Sequence, residues 1–222
     1  MILPIGTDSP QHRRPTMNYL LILINVLIFF FADRSAGYRF ALDAEFPQLH
    51  QYITYAFLHA SWSHLLGNML FLFIFGGSVN CKLGNIGYLG FYLAGGVLGG
   101  AGHVFFENIP AVGASGAVCA VTGIYLILFA RSNVILLFWF YFFIQTFKVP
   151  SYLLILFKFI LWDNVLYYSL GVQNNIAYTA HLSGYAFGIA AGLLILALGL
   201  TTSRFSVIGR GIPCDRPRGL TG

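Results

Sequence analysis

The chain has 222 residues, of which 58% are hydrophobic and 9% are charged, and its formal net charge is +5 at pH 7. A soluble domain carries about 25% charged residues, so this chain has too little polar surface to coat a soluble globule. Its three widely spaced cysteines exclude a disulfide scaffold, and its apolar content excludes disorder. The basic residues form no stripe of the kind that binds nucleic acid. The composition therefore indicates a membrane protein with several spans.

Apolar runs long enough to cross a bilayer, about 20 residues each, recur along the chain. The first follows two arginines, and we interpret it as a span rather than a signal peptide because no clear cleavage site comes after it. We predict six spans, at residues 17–32, 61–79, 84–106, 114–130, 151–170 and 176–200. They define an all-α membrane protein built as a six-helix bundle, 17–200, between an N-terminal segment, 1–16, and a basic tail, 201–222.

The region after the fourth span contains a short apolar segment and a fifth span with two charged residues. Segment 134–147 is strongly apolar but has only about 14 residues, which is typical of an interfacial or re-entrant piece rather than a span. The fifth span contains Lys158 and Asp163. We expect Lys158 to extend toward the membrane surface and Asp163 to face the protein interior, and we assign neither a catalytic role.

The lysines and arginines predict the orientation, because they favour the cytoplasmic side of a membrane. With a cytoplasmic N-terminus, six spans place nine of these residues inside and only Arg34 and Arg39 outside. The nine are Arg13, Arg14, Lys82, Arg131, Lys148, Arg204, Arg210, Arg216 and Arg218. A seventh span at 134–147 would remove this bias. We therefore expect both termini to be cytoplasmic.

In this topology four polar side chains lie at similar depth, near the external face, on three different spans. His64 and Asn68 stack one turn apart on the second span, Ser115 begins the fourth, and His181 lies about five residues into the sixth. Singly, each has a plain structural interpretation: a serine between glycines usually packs, and a histidine in a span can be a satisfied core group. Polar groups inside a membrane are nevertheless functional hypotheses by default.

Together the four residues suit acyl transfer. A serine hydroxyl needs a base to become a nucleophile, and His181 is the histidine of the last span. Donors must also be aimed at the developing oxyanion; His64, Asn68 and the free amide of Ser115 at its helix start provide three. The remaining histidines suit other roles: His12, His50 and His59 in wet or interfacial positions, and His103 as a hydrogen-bonding core group.

Small residues make the approach of Ser115 and His181 possible. In the last span Ala180, Gly184, Gly188 and Gly192 recur every four residues, and the fourth span has its own set. That set is Gly113, Gly116, Ala117, Ala120 and Gly123. Such strips let helices approach closely in lipid, so we predict that the fourth and sixth spans are in contact.

Three motifs on the right spans and in the right order resemble the rhomboid family of intramembrane serine proteases. They are His59-x4-His64-x3-Asn68 at the start of the second span, Gly113-Ala114-Ser115-Gly116 in the fourth, and Ala180-His181-x2-Gly184-x3-Gly188 in the sixth. The resemblance covers nearly the whole chain, which looks like the minimal six-helix form of the family. Two features depart from many members: Cys119 takes the place of an aromatic residue one turn after the serine, with Tyr185 a candidate substitute, and the first loop lacks a Trp-Arg pair.

The resemblance implies a catalytic dyad, with Ser115 as nucleophile and His181 as general base, and an oxyanion pocket from His64, Asn68 and the Ser115 amide. It implies no metal and no cofactor. The partners would be transmembrane protein substrates, cut in or beside their membrane segment, and the lipid bilayer, with no nucleic acid. A compact chain of this kind favours a prokaryotic plasma membrane, with the membrane of a eukaryotic organelle as the alternative.

Three other functions compete with this interpretation of the sequence. A catalytically silent rhomboid-like protein that binds transmembrane clients would usually lack the serine or the histidine, and both are present here. A transporter would need ionisable residues along a path across the bilayer, whereas the inner half of the predicted bundle looks apolar. A zinc metalloprotease would carry His-Glu-x-x-His, which does not occur in this sequence.

Overall fold

A computed structural model describes residues 2–11, 13–33, 37, 39–166, 169 and 177–200. Within the fifth predicted span, the side chains of Lys158 and Asp163 lie outside this description, so their expected orientations stay predictions. His12, Arg34 and the basic tail 201–222 also lie outside the described residues.

The described chain is mostly helical, and its helices follow the predicted spans. We number them α1 Thr16–Phe31, α2 Gln51–Thr54, α3 Trp62–Phe71, α4 Gly77–Phe106, α5 Ser115–Leu128, α6 Ser151–Leu153 and α7 Tyr178–Leu198. A 3₁₀ turn, Tyr55–Phe57, extends α2, and two π-helical segments, Leu72–Gly76 and Leu154–Leu166, extend α3 and α6.

By length and hydropathy, two helical stretches of the described chain can cross a membrane: Trp62–Phe106, which contains the second and third predicted spans, and Tyr178–Leu198. The helices Thr16–Phe31 and Ser115–Leu128 are apolar but shorter. The stretch 62–106 is not one straight rod, because Gly84 has φ 77° and ψ 169°. This non-helical glycine is the first residue of the third predicted span, directly after the predicted turn at 80–83.

Helix α1 shows how the apolar helices divide their surface. Its buried residues, Asn18, Leu21 and Asn25, recur every three to four positions and so form one face. Large apolar side chains elsewhere on α1 are exposed, including Leu23 at 51% and Phe30 at 58%. An exposed apolar face of this kind suits contact with lipid and not with water.

The prediction of an all-α protein is wrong in one region. Segment 134–147, expected to be an interfacial or re-entrant piece, belongs to an antiparallel hairpin of β2 (Asn133–Phe140) and β3 (Phe143–Pro150). The strands pair from Asn133↔Pro150 to Phe140↔Phe143, and Tyr141 in the connecting turn has φ 50°, as a two-residue hairpin turn requires. A short apolar run does not distinguish strand from helix.

The N-terminal segment completes this sheet. Strand β1 (Ile2–Thr7) pairs antiparallel with β2, so the strand order is β1-β2-β3. Asp8 then accepts hydrogen bonds from the Asn133 amide at 2.6 Å and from its side chain at 2.9 Å, and lies 3.4 Å from the Lys148 ammonium. These bonds, those from Asn133 first, lower the pKa of Asp8 below its usual value. The N-terminal segment and segment 133–150 therefore lie on one side of the bundle.

The end of the bundle nearest the sheet is more polar than expected. Buried Asn18 donates its side-chain amide to the Leu72 carbonyl at 3.0 Å, and its backbone N–H to Asn80 Oδ1 at 3.0 Å. The Tyr88 hydroxyl donates to Asn18 Oδ1 at 2.6 Å. This end is the inner half in the predicted orientation, and it is therefore not wholly apolar, but these groups are neutral and bond to one another. Their network joins α1, α4 and the π-helical segment Leu72–Gly76.

Candidate active site

The start of α3 positions two of the predicted site residues. Ser61 precedes this helix in extended conformation, and its hydroxyl accepts the His64 backbone N–H at 3.2 Å. This cap begins the helix so that His64 and Asn68 lie one turn apart on it. Asn68 is buried, at 7% exposure, and its side-chain nitrogen has no hydrogen-bond partner among the described residues. An unpaired buried donor is costly, and it is available to an incoming oxygen.

Gly113 brings the ring of His64 and the hydroxyl of Ser115 to one small space. A methyl group added at Gly113 would lie 2.6 Å from His64 Nε2 and 3.7 Å from Ser115 Oγ. Gly113 has φ +130°, and its amide donates to the carbonyl of Tyr55 at 2.9 Å. Tyr55, which our sequence reasoning did not single out, is 2% exposed and also donates its hydroxyl to the Gly96 carbonyl at 2.6 Å.

Helices α5 and α7 pack in close contact, as their small residues predict. A methyl group at Gly184 would meet the Gly116 carbonyl oxygen, and one at Gly188 would meet that of Ala120. Helix α4 joins the same contact: a methyl group at Gly99 would lie 3.0 Å from the Gly116 α-carbon and 3.1 Å from the Ala180 carbonyl oxygen. This point is one residue from Ser115 on α5 and one residue from His181 on α7.

The His181 ring is held from the fifth predicted span. Its Nδ1 lies 2.8 Å from Asn164 Oδ1, and the Asn164 side-chain nitrogen donates to the Phe159 carbonyl. Sequence reasoning missed Asn164, although a polar residue within an apolar run was the available signal. In the described part of the chain, no hydrogen bond joins the Ser115 hydroxyl to the His181 ring.

His103 behaves as the hydrogen-bonding core group that we predicted. It is fully buried, and its Nε2 lies 2.7 Å from the Ile109 carbonyl oxygen while its Nδ1 lies 3.3 Å from the Thr179 hydroxyl. Since a carbonyl oxygen only accepts, Nε2 carries the proton and Nδ1 accepts from Thr179. The bond to Thr179 attaches the end of α4 to the start of α7, two residues before His181.

His59 lies in the loop before α3 and contacts the site through His64. The two rings meet edge to face, with centroids 5.2 Å apart. Both ring nitrogens of His59 are buried without a partner among the described residues, although the residue as a whole is half-buried. The expected position was wet or interfacial; the wet position is wrong, and the interfacial one stays a prediction. Burial, and secondarily the nearby His64, lowers the pKa of His59 to about 4. His59 is therefore neutral at pH 7.

Cys119, which replaces the expected aromatic residue, is buried, and Tyr185 of α7 is among its neighbours. A contact of Tyr185 with the His181 ring stays a prediction, since the partner that the structure places on this ring is Asn164. Among the described residues, no three His, Cys, Asp or Glu side chains are placed to hold a metal ion.

Comparison with known proteins identifies the family. The model of the rhomboid domain matches residues 47–198, more than half of the chain. The chain therefore belongs to the rhomboid family, whose members are embedded in membranes. The matched region contains all three of the motifs described above.

Curated relatives are similar over part of their length. Rhomboid-like protein 11, chloroplastic, of Arabidopsis thaliana is 40% identical over 118 residues, which are 50% of this chain and 41% of that protein. The putative rhomboid protease YdcA of Bacillus subtilis is 31% identical over 132 residues, 54% of this chain and 65% of that one. The rhomboid protease GluP of the same organism is 31% identical over 124 residues, which are 51% of this chain and 24% of that protein. The chain thus spans less than two thirds of each of these relatives.

Proposed function

We propose that this chain is an intramembrane serine endopeptidase that hydrolyses peptide bonds in or beside transmembrane segments of membrane-protein substrates. The observation that carries this proposal is where the helices meet. His64 and Ser115 face one space at Gly113, and Gly99 of α4 lies against Gly116 of α5 and Ala180 of α7, one residue from Ser115 and His181. Relatives named as rhomboid proteases support it.

In the proposed mechanism, Ser115 Oγ attacks the scissile carbonyl carbon while His181 accepts the hydroxyl proton. The tetrahedral oxyanion accepts hydrogen bonds from Asn68, His64 and the Ser115 amide. The C–N bond then breaks, and His181 returns the proton to the leaving amine. Water, deprotonated by His181, hydrolyses the acyl-enzyme and regenerates Ser115. Because Ser115 and His181 share no hydrogen bond in this structure, substrate binding must align them first; catalytic hydrogen bonds often tighten only in the complex.

The membrane topology belongs to the same proposal. Six spans with both termini in the cytoplasm would place Ser115 and His181 toward the external face. The pairing of β1 with β2 supports this arrangement, because it keeps the N-terminal segment on the same side as the loop after α5. We propose the prokaryotic plasma membrane as the location, although plant relatives carry chloroplastic and mitochondrial names.

The test is a cleavage assay in liposomes, with a single-span substrate that has small residues near its outer membrane boundary. We expect wild type to cleave, and Ser115→Ala and His181→Ala to be inactive while remaining folded. Ser78→Ala is a matched control, because buried Ser78 bonds to Ser9 near the sheet, at 2.6 Å. Equal cleavage by all variants would identify a contaminating protease and overturn the dyad.

A second candidate function is the binding of transmembrane clients without cleavage. The missing Ser115–His181 hydrogen bond favours it, and two relatives from Arabidopsis thaliana are named only rhomboid-like. A fluorophosphonate probe separates the two functions, because it labels an activated serine without needing the natural substrate. Labelling of wild type but not of Ser115→Ala would support the protease; an unlabelled Ser115 in folded protein would favour client binding.

A further inference from the structure

We infer that Asn164 is a positioning residue that holds His181 in the tautomer with the proton on Nδ1, leaving Nε2 free to act as the base. The inference rests on the proposed function for the role of His181. Its evidence is separate: Asn164 is buried, at 4% exposure, and lies on the π-helical segment Leu154–Leu166, opposite the start of α7.

The direction of the Asn164 amide follows from its second hydrogen bond. Its side-chain nitrogen donates to the Phe159 carbonyl, and a carbonyl oxygen cannot donate in return. The Nδ2 group therefore faces Phe159, and Oδ1 faces His181. The contact of 2.8 Å with His181 Nδ1 is thus between an amide oxygen, which only accepts, and a ring nitrogen that must carry the proton.

The tautomer of His181 has a direct chemical consequence. A neutral imidazole carries one proton, so a proton on Nδ1 leaves an unshared electron pair on Nε2. That nitrogen is then ready to accept a proton from a serine hydroxyl. The opposite tautomer would present an N–H group to the serine and could not act as its base, since the wrong tautomer abolishes most activity in serine hydrolases.

The π-helical geometry explains how one side chain reaches both partners. In a π-helix the backbone turn is wider by one residue than in an α-helix, and Asn164 donates to the carbonyl five residues before it. The Phe159 carbonyl thereby anchors the amide from its own helix, while Oδ1 points across to α7. Asn164 orients the ring without adding a charge to the membrane interior, where a carboxylate would be costly.

Three variants test this role. Asn164→Leu keeps similar volume but removes the acceptor, and Asn164→Asp restores an acceptor oxygen for the Nδ1 proton. Asn25→Leu is the matched control, because buried Asn25 also donates its amide to a carbonyl of its own helix, Leu21 O at 2.8 Å, but lies on α1. We expect Asn164→Leu to lower kcat roughly 10- to 100-fold with little change in KM, the range found when a metal-bound histidine loses its orienting partner.

We expect Asn164→Asp to recover at least part of this loss, and Asn25→Leu to retain wild-type kcat. Asn164→Leu with wild-type kcat, or with a loss no greater than that of Asn25→Leu, would overturn the inference. Such a result for Asn164→Leu would leave the proposed protease function intact, provided that wild type cleaves and Ser115→Ala does not.

A second measurement does not depend on activity. Nitrogen-15 NMR of histidine-labelled protein in micelles distinguishes the two tautomers, with His181→Gln assigning the signal. We expect the Nδ1–H form in wild type and a mixture in Asn164→Leu. An Nε2–H form in wild type, or an unchanged tautomer in Asn164→Leu, would overturn the inference. Inactive wild-type protein with the expected tautomer would reject the proposed function but support the contact.

Discussion

The His64 ring lies against the α-carbon of Gly113, with no room between them for a side chain. A methyl group there would be 2.6 Å from the ring Nε2, and the backbone at Gly113 has φ +130°. Two independent constraints, space and backbone conformation, thus require glycine at this position. Because Ser115 Oγ would lie 3.7 Å from the same methyl group, any shift of this contact changes the surroundings of the serine.

Gly113→Ala should therefore impair both folding and activity. The backbone strain of a non-glycine residue costs about 1–3 kcal/mol, and displacement of the His64 ring by about 1 Å should lower kcat/KM by about 10²-fold. The control is Gly199→Ala, which also has a positive φ, +60°, but no atom within 4 Å of the added methyl. Thermal unfolding and cleavage kinetics of both variants test this. Equal activity of Gly113→Ala and Gly199→Ala would contradict it.

Asn68→Ala should separate activity from stability. Its buried side-chain nitrogen has no partner among the described residues, so little hydrogen bonding is lost in the resting protein. If Asn68 is the oxyanion donor that we propose, its removal should lower kcat by about 10²–10³-fold. The contrasting variant is Asn80→Ala, which removes the side-chain oxygen that accepts the Asn18 backbone N–H at 3.0 Å. We expect Asn80→Ala to lower the unfolding temperature more than Asn68→Ala, with nearly normal kcat. The opposite pattern would show that Asn68 is structural.

Gly184→Ala should weaken the contact between α5 and α7. The added methyl would meet the Gly116 carbonyl oxygen and lie 3.1 Å from the Cys119 β-carbon. Overpacking of this kind costs about 1–3 kcal/mol, and it should move His181 away from Ser115. Gly90→Ala on α4 is the matched control, since nothing lies within 4 Å of its added methyl. Unfolding temperature and kcat should both fall in Gly184→Ala only; normal values there would mean that the helices are less closely packed.

The pKa of His59, lowered to about 4, predicts acid sensitivity. The usual pKa of histidine in an unfolded chain is about 6.5, so between pH 6.5 and 4 the unfolded chain binds the proton and the folded chain does not. Stability contributed by neutral His59 is therefore complete above pH 6.5 and is lost as the pH falls toward 4. We expect His59→Phe to show a smaller fall in unfolding temperature between pH 7 and 4.5. His50→Gln changes an exposed histidine, and its unfolding temperature should fall between pH 7 and 4.5 as much as that of wild type. Equal falls in all three would refute the prediction.

The fold was predictable where apolar periodicity and length are decisive. The helices Thr16–Phe31 and Tyr178–Leu198 begin and end within two residues of the predicted spans. Segment 133–150 was not predictable in this way, because apolar strand and apolar helix look alike over so few residues. Its pairing with Ile2–Thr7 joins residues more than 120 positions apart, which no local pattern contains.

The candidate site was also predictable in part. The sequence alone determines which side chains are candidates for the proposed chemistry. The spacing of glycines and alanines on the fourth and sixth predicted spans was enough to predict that these spans are in contact. Only the tertiary structure decided three contacts of the site. Gly113 faces His64, the Tyr55 carbonyl accepts the Gly113 backbone N–H, and Asn164 holds His181. The physical reason is that these contacts join different helices. Their distances and hydrogen-bond directions depend on how the helices pack, and helix periodicity carries no information about the partner across the contact.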